Sequence, residues 1–229
     1  MNHFGLCWQS INIRQATRRN FLLFLILMLL QLTASPMRAD SSQTVRSSYG
    51  PPETSVLYEE DPTRVTVGSR HLGKVIWHTE TVKREVSQQA DIALRADVDV
   101  PDRNFKMTML IFRNIDVSDP ASHTIELSFI LPPDFGGTGG GVDDVSGILM
   151  KPGEQGRGVS LSGSVAKVAD GLFRVNLSNI DEQRSRNLQL LKEAPWFSIG
   201  LVYHNLHRAV ITFEKGKSGY QASSVAFGG

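Results

Sequence analysis

The chain has 229 residues, of which 41% are hydrophobic and 21% charged, and a formal net charge of +1. That composition excludes a disordered or collagen-like chain and suits one globular domain or two small ones. Residues 1–39 carry Arg14, Arg18, Arg19 and Arg38 and no acid, leaving 20 bases against 23 acids in residues 40–229, so the body has no electrostatic basis for binding nucleic acid.

The first element is an apolar run, Phe21 to Leu32, read as FLLFLILMLLQL. It follows the basic leader and precedes the small and polar residues TASPMRAD, the layout of a secretory signal. The run falls short of the roughly 20 residues that span a bilayer. A cleaved signal over residues 1–39 therefore fits better than a retained anchor. The cleavage region is poor: a cut after Ala39 leaves Met37 at −3, and a cut after Ser35 meets Pro36. Uncleaved, residues 21–34 stay in the membrane with their basic end in the cytoplasm. Thr17-Arg18-Arg19-Asn20-Phe21-Leu22 resembles the twin-arginine export signal, which implies export in the folded state. General secretory export remains the other route. Residues 40–54 read DSSQTVRSSYGPPET and form a linker with nothing to build a core. The only cysteine, Cys7, lies upstream, so the body holds no disulfide framework, thiolate zinc site or cysteine nucleophile.

The body begins with short strands at Ser55–Glu59 and Lys74–Val82. Three runs with apolar residues at every second position follow. They are Ile92, Leu94, Ala96, Val98 and Val100; then Phe105, Met107, Met109 and Ile111; then Ile125, Leu127, Phe129 and Leu131. A period of two belongs to strands, whose successive side chains point to opposite faces. The connections at Pro101-Asp102 and Asp116–Ala121 are too short for parallel crossovers, so the three form an antiparallel meander. Pro132 to Asp144 reads as a flexible loop. Strands follow at Gly147–Lys151 and Gly158–Val168; Asp170-Gly171 then turns the chain into Leu172–Leu177 as a hairpin. The period changes between Asn179 and Ala194, which predicts one amphipathic helix capped by Ser178 and ended by Pro195. Trp196–Tyr203 and Arg208–Phe213 are two further strands. Lys215–Gly229 fits a short helix or coil equally. The expected fold is mainly β: an antiparallel β-sandwich over residues 55–229 with one helix (about 179–194), preceded by an N-terminal apolar helix.

The stretch from VLYEEDP through RNIDVSDPASHTIELSF, GILMK, NLQLL and WFSIGLVYHN to AVITFEKG, residues 55–216, resembles an uncharacterised domain. That domain stands at the C-terminus of exported or membrane-anchored proteins of rhizobia and related alphaproteobacteria. The resemblance implies a bacterial envelope setting and brings no activity or site residues.

Candidate chemistry is thin. The glycines of 136–141 lead into Val142-Asp143-Asp144 and not into a phosphate-cradling helix, so they read as a flexible loop. Asp134, Asp143 and Asp144 match no EF-hand spacing. His204 and His207 read as solvated turn residues with no third ligand nearby. Ser122 and His123 point to opposite faces of a strand and do not form a nucleophile–base pair. Glu80, Glu126 and Glu214 would suit glycoside cleavage only if they converged. Trp77, Trp196, Phe197 and Tyr203 read as core and edge anchors. No catalytic, cofactor or metal residue is assigned. The expected function is that of an exported envelope protein acting as a non-enzymatic binding module for an envelope protein or polymer. The alternatives are an envelope glycan or ester hydrolase and a membrane-anchored accessory subunit of an envelope complex.

Overall fold

The computed structural model describes residues 50–61, 68–83, 90–114, 120–135 and 140–228. The leader, the twin-arginine-like hexapeptide, most of the linker and residues 136–139 lie outside them. The described residues hold eleven strands: β1 (Glu53–Glu59), β2 (Ser69–Lys83), β3 (Ala90–Val100), β4 (Phe105–Arg113), β5 (Ala121–Ile130), β6 (Val142–Lys151), β7 (Val159–Ser160), β8 (Gly163–Ala169), β9 (Leu172–Ser178), β10 (Trp196–Tyr203) and β11 (Arg208–Glu214). Two helices, α1 (Asp181–Glu193) and α2 (Gly216–Phe227), complete the body. The alternating runs all become strands, because one apolar face and one polar face can be satisfied together only in a sheet.

All eleven strands join one antiparallel sheet in the order β7-β6-β10-β11-β1-β2-β3-β4-β5-β9-β8. The expected sandwich is thus right in its strands and their antiparallel sense, but the strands do not divide into two sheets. The sheet curls until its edges meet. The stretch expected as one strand, Gly158–Val168, pairs with β6 through Val159–Ser160 and then with β9 through Gly163–Ala169. Leu161 N donates to Ile148 O at 3.0 Å on one side of the crossing, and Ser178 N donates to Ser162 O at 2.9 Å on the other. Asn187 of α1 holds the crossing itself: its Nδ2 donates to Ser162 O at 2.8 Å, and its Oδ1 accepts from Ser162 N at 2.9 Å. Closure of this kind removes the long unpaired edges that an open sheet would expose.

The register places one apolar face inward all the way round. Ile148, Ile199, Ile211 and Leu57 stand side by side across β6, β10, β11 and β1. Leu94, Ile111, Ile125, Val175 and Val165 do the same across β3, β4, β5, β9 and β8. The interior is filled, with Trp77, Phe105, Phe173, Phe197 and Phe213 fully buried. Trp77 packs against Phe197 and Phe213 at ring-centroid distances of 5.5 and 5.9 Å, and its indole N–H donates to Glu214 O at 2.8 Å.

One end of this barrel is plugged by the two helices. The residues after Lys215 are helical as α2, resolving the choice between helix and coil. Its buried face is made of the small residues Ser218, Gly219, Ala222, Ser223 and Ala226 and ends in Phe227. Small residues let the helix approach closely: a methyl group on Gly219 would stand 3.1 Å from the Trp77 ring. Helix α1 begins at Asp181, two residues later than expected, and Ser178 does not cap it; its Oγ accepts from Ile180 N at 3.2 Å. The Asp170-Gly171 turn forms as expected, with Gly171 at φ +70°, a conformation glycine adopts without steric cost. Asp143 and Asp144 belong to β6 and not to the preceding loop.

Candidate functional site

At the end of the barrel opposite the helices, polar residues replace the apolar lining. Glu59, the last residue of β1, stands opposite Ser69 and Ala209, and His71 stands opposite Leu57. All four positions are in phase with the inward face. Glu59 is therefore a carboxylate on the core side of its strand, about nine-tenths buried. A carboxylate so placed needs a partner that stays charged. Arg103 supplies it, with its Nε 2.6 Å from Glu59 Oε2 and its Nη2 donating to Oε1 at 3.2 Å.

Arg103 reaches this position because the β3–β4 connection is a tight turn, Pro101–Arg103, ended by Asn104 in the left-handed region at φ 49°. The guanidinium also lies 5.0 Å from the centroid of the Phe135 ring. Phe135 meets Tyr203 edge-on at 5.1 Å. His71 Nε2 stands 3.3 Å from Glu59 Oε2, the oxygen that Arg103 Nε also meets, and 3.1 Å from Ser69 Oγ. The Tyr203 hydroxyl is raised above the usual phenol range, first by burial and then by the charge of Glu59.

Glu59, Ser69, His71, Arg103 and Tyr203 line a cavity of about 370 Å³ together with Glu60, Asp61 and His207. Glu60 ties the mouth to β11: its backbone N donates to Arg208 O at 2.9 Å, and its Oε2 accepts from Arg208 N at 3.2 Å. His207 N donates to Asn205 Oδ1 at 3.1 Å. The site is a partly charged recess built from strand ends and the turns beside them, with two imidazoles on its walls and acids at its rim.

The residues weighed from the sequence do not gather here, except Tyr203 and His207. His204 is exposed and lies over Gly141, so it does not face His207 across a common site. Ser122 donates to Ser178 O at 2.9 Å, while His123 is buried against Phe227 at 6.0 Å; the two do not form a pair. Glu80 is bound by Arg95 at 2.7 Å, and Glu126 by Arg174 at 2.9 Å. Both glutamates stand on the outer face, on β2 and β5, with β3 and β4 between them. Glu214 is on β11, with β1 between it and β2. The three glutamates share no cleft. Asp143 pairs with Lys167 at 3.4 Å across the seam between β6 and β8, and Asp134 is exposed. Among the described residues no group of three or more His, Cys, Asp or Glu side chains is placed to hold a metal ion. Trp77, Phe197 and Tyr203 are core, and Trp196 is half-buried.

Glu59, His71 and Arg103 were missed as a cluster. Their signal in the sequence is phase: Glu59 falls in step with Leu57, and His71 in step with Val75 and Trp77, so each is a polar residue at an inward position. No family model, curated protein or solved structure matches this chain.

Proposed function

We propose that the chain is an exported envelope protein whose barrel is a recognition module, engaging an envelope protein or polymer at the mouth formed by Glu59, His71, Arg103, Tyr203 and His207. The observation that carries this reading is the state of the charged groups. Glu59 is held by Arg103, from the turn between β3 and β4, and by His71 of β2. A recess whose polar groups are fixed in advance suits binding, because little ordering cost remains for the ligand to offset. The acids at the rim, Glu60 and Asp61, favour a partner that presents positive charge there. The export half of the proposal rests on the basic leader and the apolar run before the linker. If that run is retained, residues 21–34 anchor the barrel at the inner membrane and the module works as an accessory subunit of an envelope complex.

A photo-crosslinking residue placed at Ser69, on the wall of the mouth, tests the proposal in a bacterium that makes the full chain. The same residue at Gln221, on the exposed side of α2, is the comparison. The expected result is chain in the envelope fraction with discrete adducts from position 69 and none from position 221. Equal adducts from both positions, no adduct from either, or chain confined to the cytoplasm overturns it.

A further inference from the structure

The turn between β10 and β11 holds Leu206 in the left-handed region, at φ 68°. That conformation crowds the Cβ of an L-residue, and leucine has no short polar side chain to bond back to the backbone in compensation. Among the described residues one other non-glycine residue has a positive φ, Asn104. It ends the turn that carries Arg103. Both left-handed residues thus belong to turns that build the mouth, since Tyr203 and His207, at the two ends of the Leu206 turn, line its cavity. Leu206 is also the most exposed large apolar side chain among the described residues, at 75%.

The turn is tied from several sides. Leu206 N donates to Tyr203 O at 2.8 Å, Tyr203 N to His207 O at 2.9 Å and His204 N to Gly141 O at 3.2 Å. Asn205 Oδ1 accepts from His207 N at 3.1 Å. None of these bonds uses the side chain of residue 206, and glycine there would make the same ones without the crowding. An apolar side chain that strains its backbone and buries little of itself adds little to the fold. Residues of that kind cluster where a protein binds something.

Each class of partner can be weighed against Leu206 and the recess beside it. The lining holds three carboxylates, Glu59, Glu60 and Asp61, against one guanidinium, Arg103. An anionic polymer is therefore repelled at the rim. A neutral glycan brings no charge for the acids and sets hydroxyls against Leu206. A small apolar molecule covers Leu206 and leaves the acids unanswered. A polypeptide brings a cation and an apolar side chain on one segment.

We infer that Leu206 is an apolar anchor beside the mouth and that the partner is a polypeptide. Its extended segment sets a lysine or arginine against Glu60 and Asp61 and an apolar side chain against Leu206. This rests on the reading of the mouth as a recognition site. Leu206 and His207 are chain neighbours, about 3.8 Å apart at Cα. The two anchoring residues of the partner therefore stand within about three positions of each other.

Random dodecapeptides displayed on phage and selected against the full chain provide the test. Expected are sequences with Lys or Arg within about three positions of an aliphatic or aromatic residue. Synthetic copies should bind the Leu206→Gly chain about ten-fold more weakly than the parent, the scale of one lost apolar anchor. Leu206→Asn, which tolerates the left-handed turn but is polar, should weaken binding likewise, and Leu206→Met should restore most of it. Both Leu206→Gly and Leu206→Asn should melt no lower than the parent, because each relieves the crowding. The same peptides are then bound to chain carrying the photo-crosslinking residue at Ser69. Adducts at position 69 with binding indifferent to Leu206→Gly and Leu206→Asn overturn the anchor and leave the mouth standing. Peptide binding without adducts at position 69 overturns the reading of the mouth, and the anchor with it. Enrichment of acidic sequences, or of none, overturns the polypeptide partner alone.

Discussion

At the mouth, Glu59 meets Arg103 at 2.6 Å and charge answers charge. At the plugged end, Lys215 is fully buried and has carbonyl oxygens for partners: its Nζ donates to Leu191 O at 2.6 Å and to Lys192 O at 3.2 Å. Those carbonyls end helix α1, where the helix dipole favours a cation. The ammonium also stands 5.8 Å from the Phe197 ring centroid and 4.7 Å from that of Tyr220. Burial still pulls Lys215 down to about 8. His123, at the same end, is pulled down to about 4 by burial and then by Arg113, with Arg184 adding to the effect and Asp91 opposing it. The mouth thus keeps its charges by pairing them, while the plugged end buries ionisable groups in apolar packing. The first arrangement suits contact with a partner and the second suits holding the barrel shut.

The largest test of that contrast is Trp77→Ala. It removes the ring on which α2 and the Phe197–Phe213 stack rest, and is expected to cost about 3–5 kcal/mol in denaturant unfolding. If the loss stays under about 1 kcal/mol, the plugged end is not the centre of stability.

Lys215→Ala comes next, at about 3 kcal/mol, because it opens a cavity and leaves two helix-end carbonyls without a donor. Lys215→Met refills the space and costs about 1 kcal/mol. The folded ammonium releases its proton near pH 8 and the unfolded one near 10.5. Between those values the unfolded chain holds more protons, so stability rises with pH. Unfolding free energies from pH 8 to 10.5 should show that rise in the parent and lose it in both variants.

His123 gives the opposite limb. Its folded pKa of about 4 lies below the ordinary 6.5. Its contribution is therefore complete above pH 6.5 and lost as pH falls through 4, by roughly 2–3 kcal/mol. His123→Phe keeps a ring against Phe227 and should flatten this acid limb. A parent and variant with equal slopes would remove His123 from the account.

Glu59→Gln is the smallest and belongs to the mouth. It keeps shape and burial but leaves Arg103 without its counter-charge, at about 2 kcal/mol after allowing for the half-exposed guanidinium. It should also lower the phenol titration of Tyr203, while burial keeps that group above its ordinary range. A neutral effect on both would show the ion pair to be incidental.

Much of the fold was legible because alternation is a local property. Each of the runs around Leu94, Met107 and Leu127 states its own inward face, and Asp170-Gly171 states its own turn. The end of α1 was equally plain from Pro195. The C-terminal helix was not, since GKSGYQASSVAF carries no stripe of large apolar residues. Its helical form depends on the Trp77 surface that small residues can approach.

Strand periodicity and turn dipeptides determined, from sequence alone, that the body is mainly antiparallel strands with one apolar face each and a helix near 179–194. Only the tertiary structure decided that the sheet closes on itself, because closure depends on where residues 159–169 find partners on both sides. The same holds for the two polar clusters. Glu59 and Arg103 are 44 positions apart, and Lys215 meets α1 only once the barrel has curled. Phase with Leu57 marks Glu59 as inward, but whether such a residue is solvated, paired or enclosed is set by neighbours brought from elsewhere in the chain.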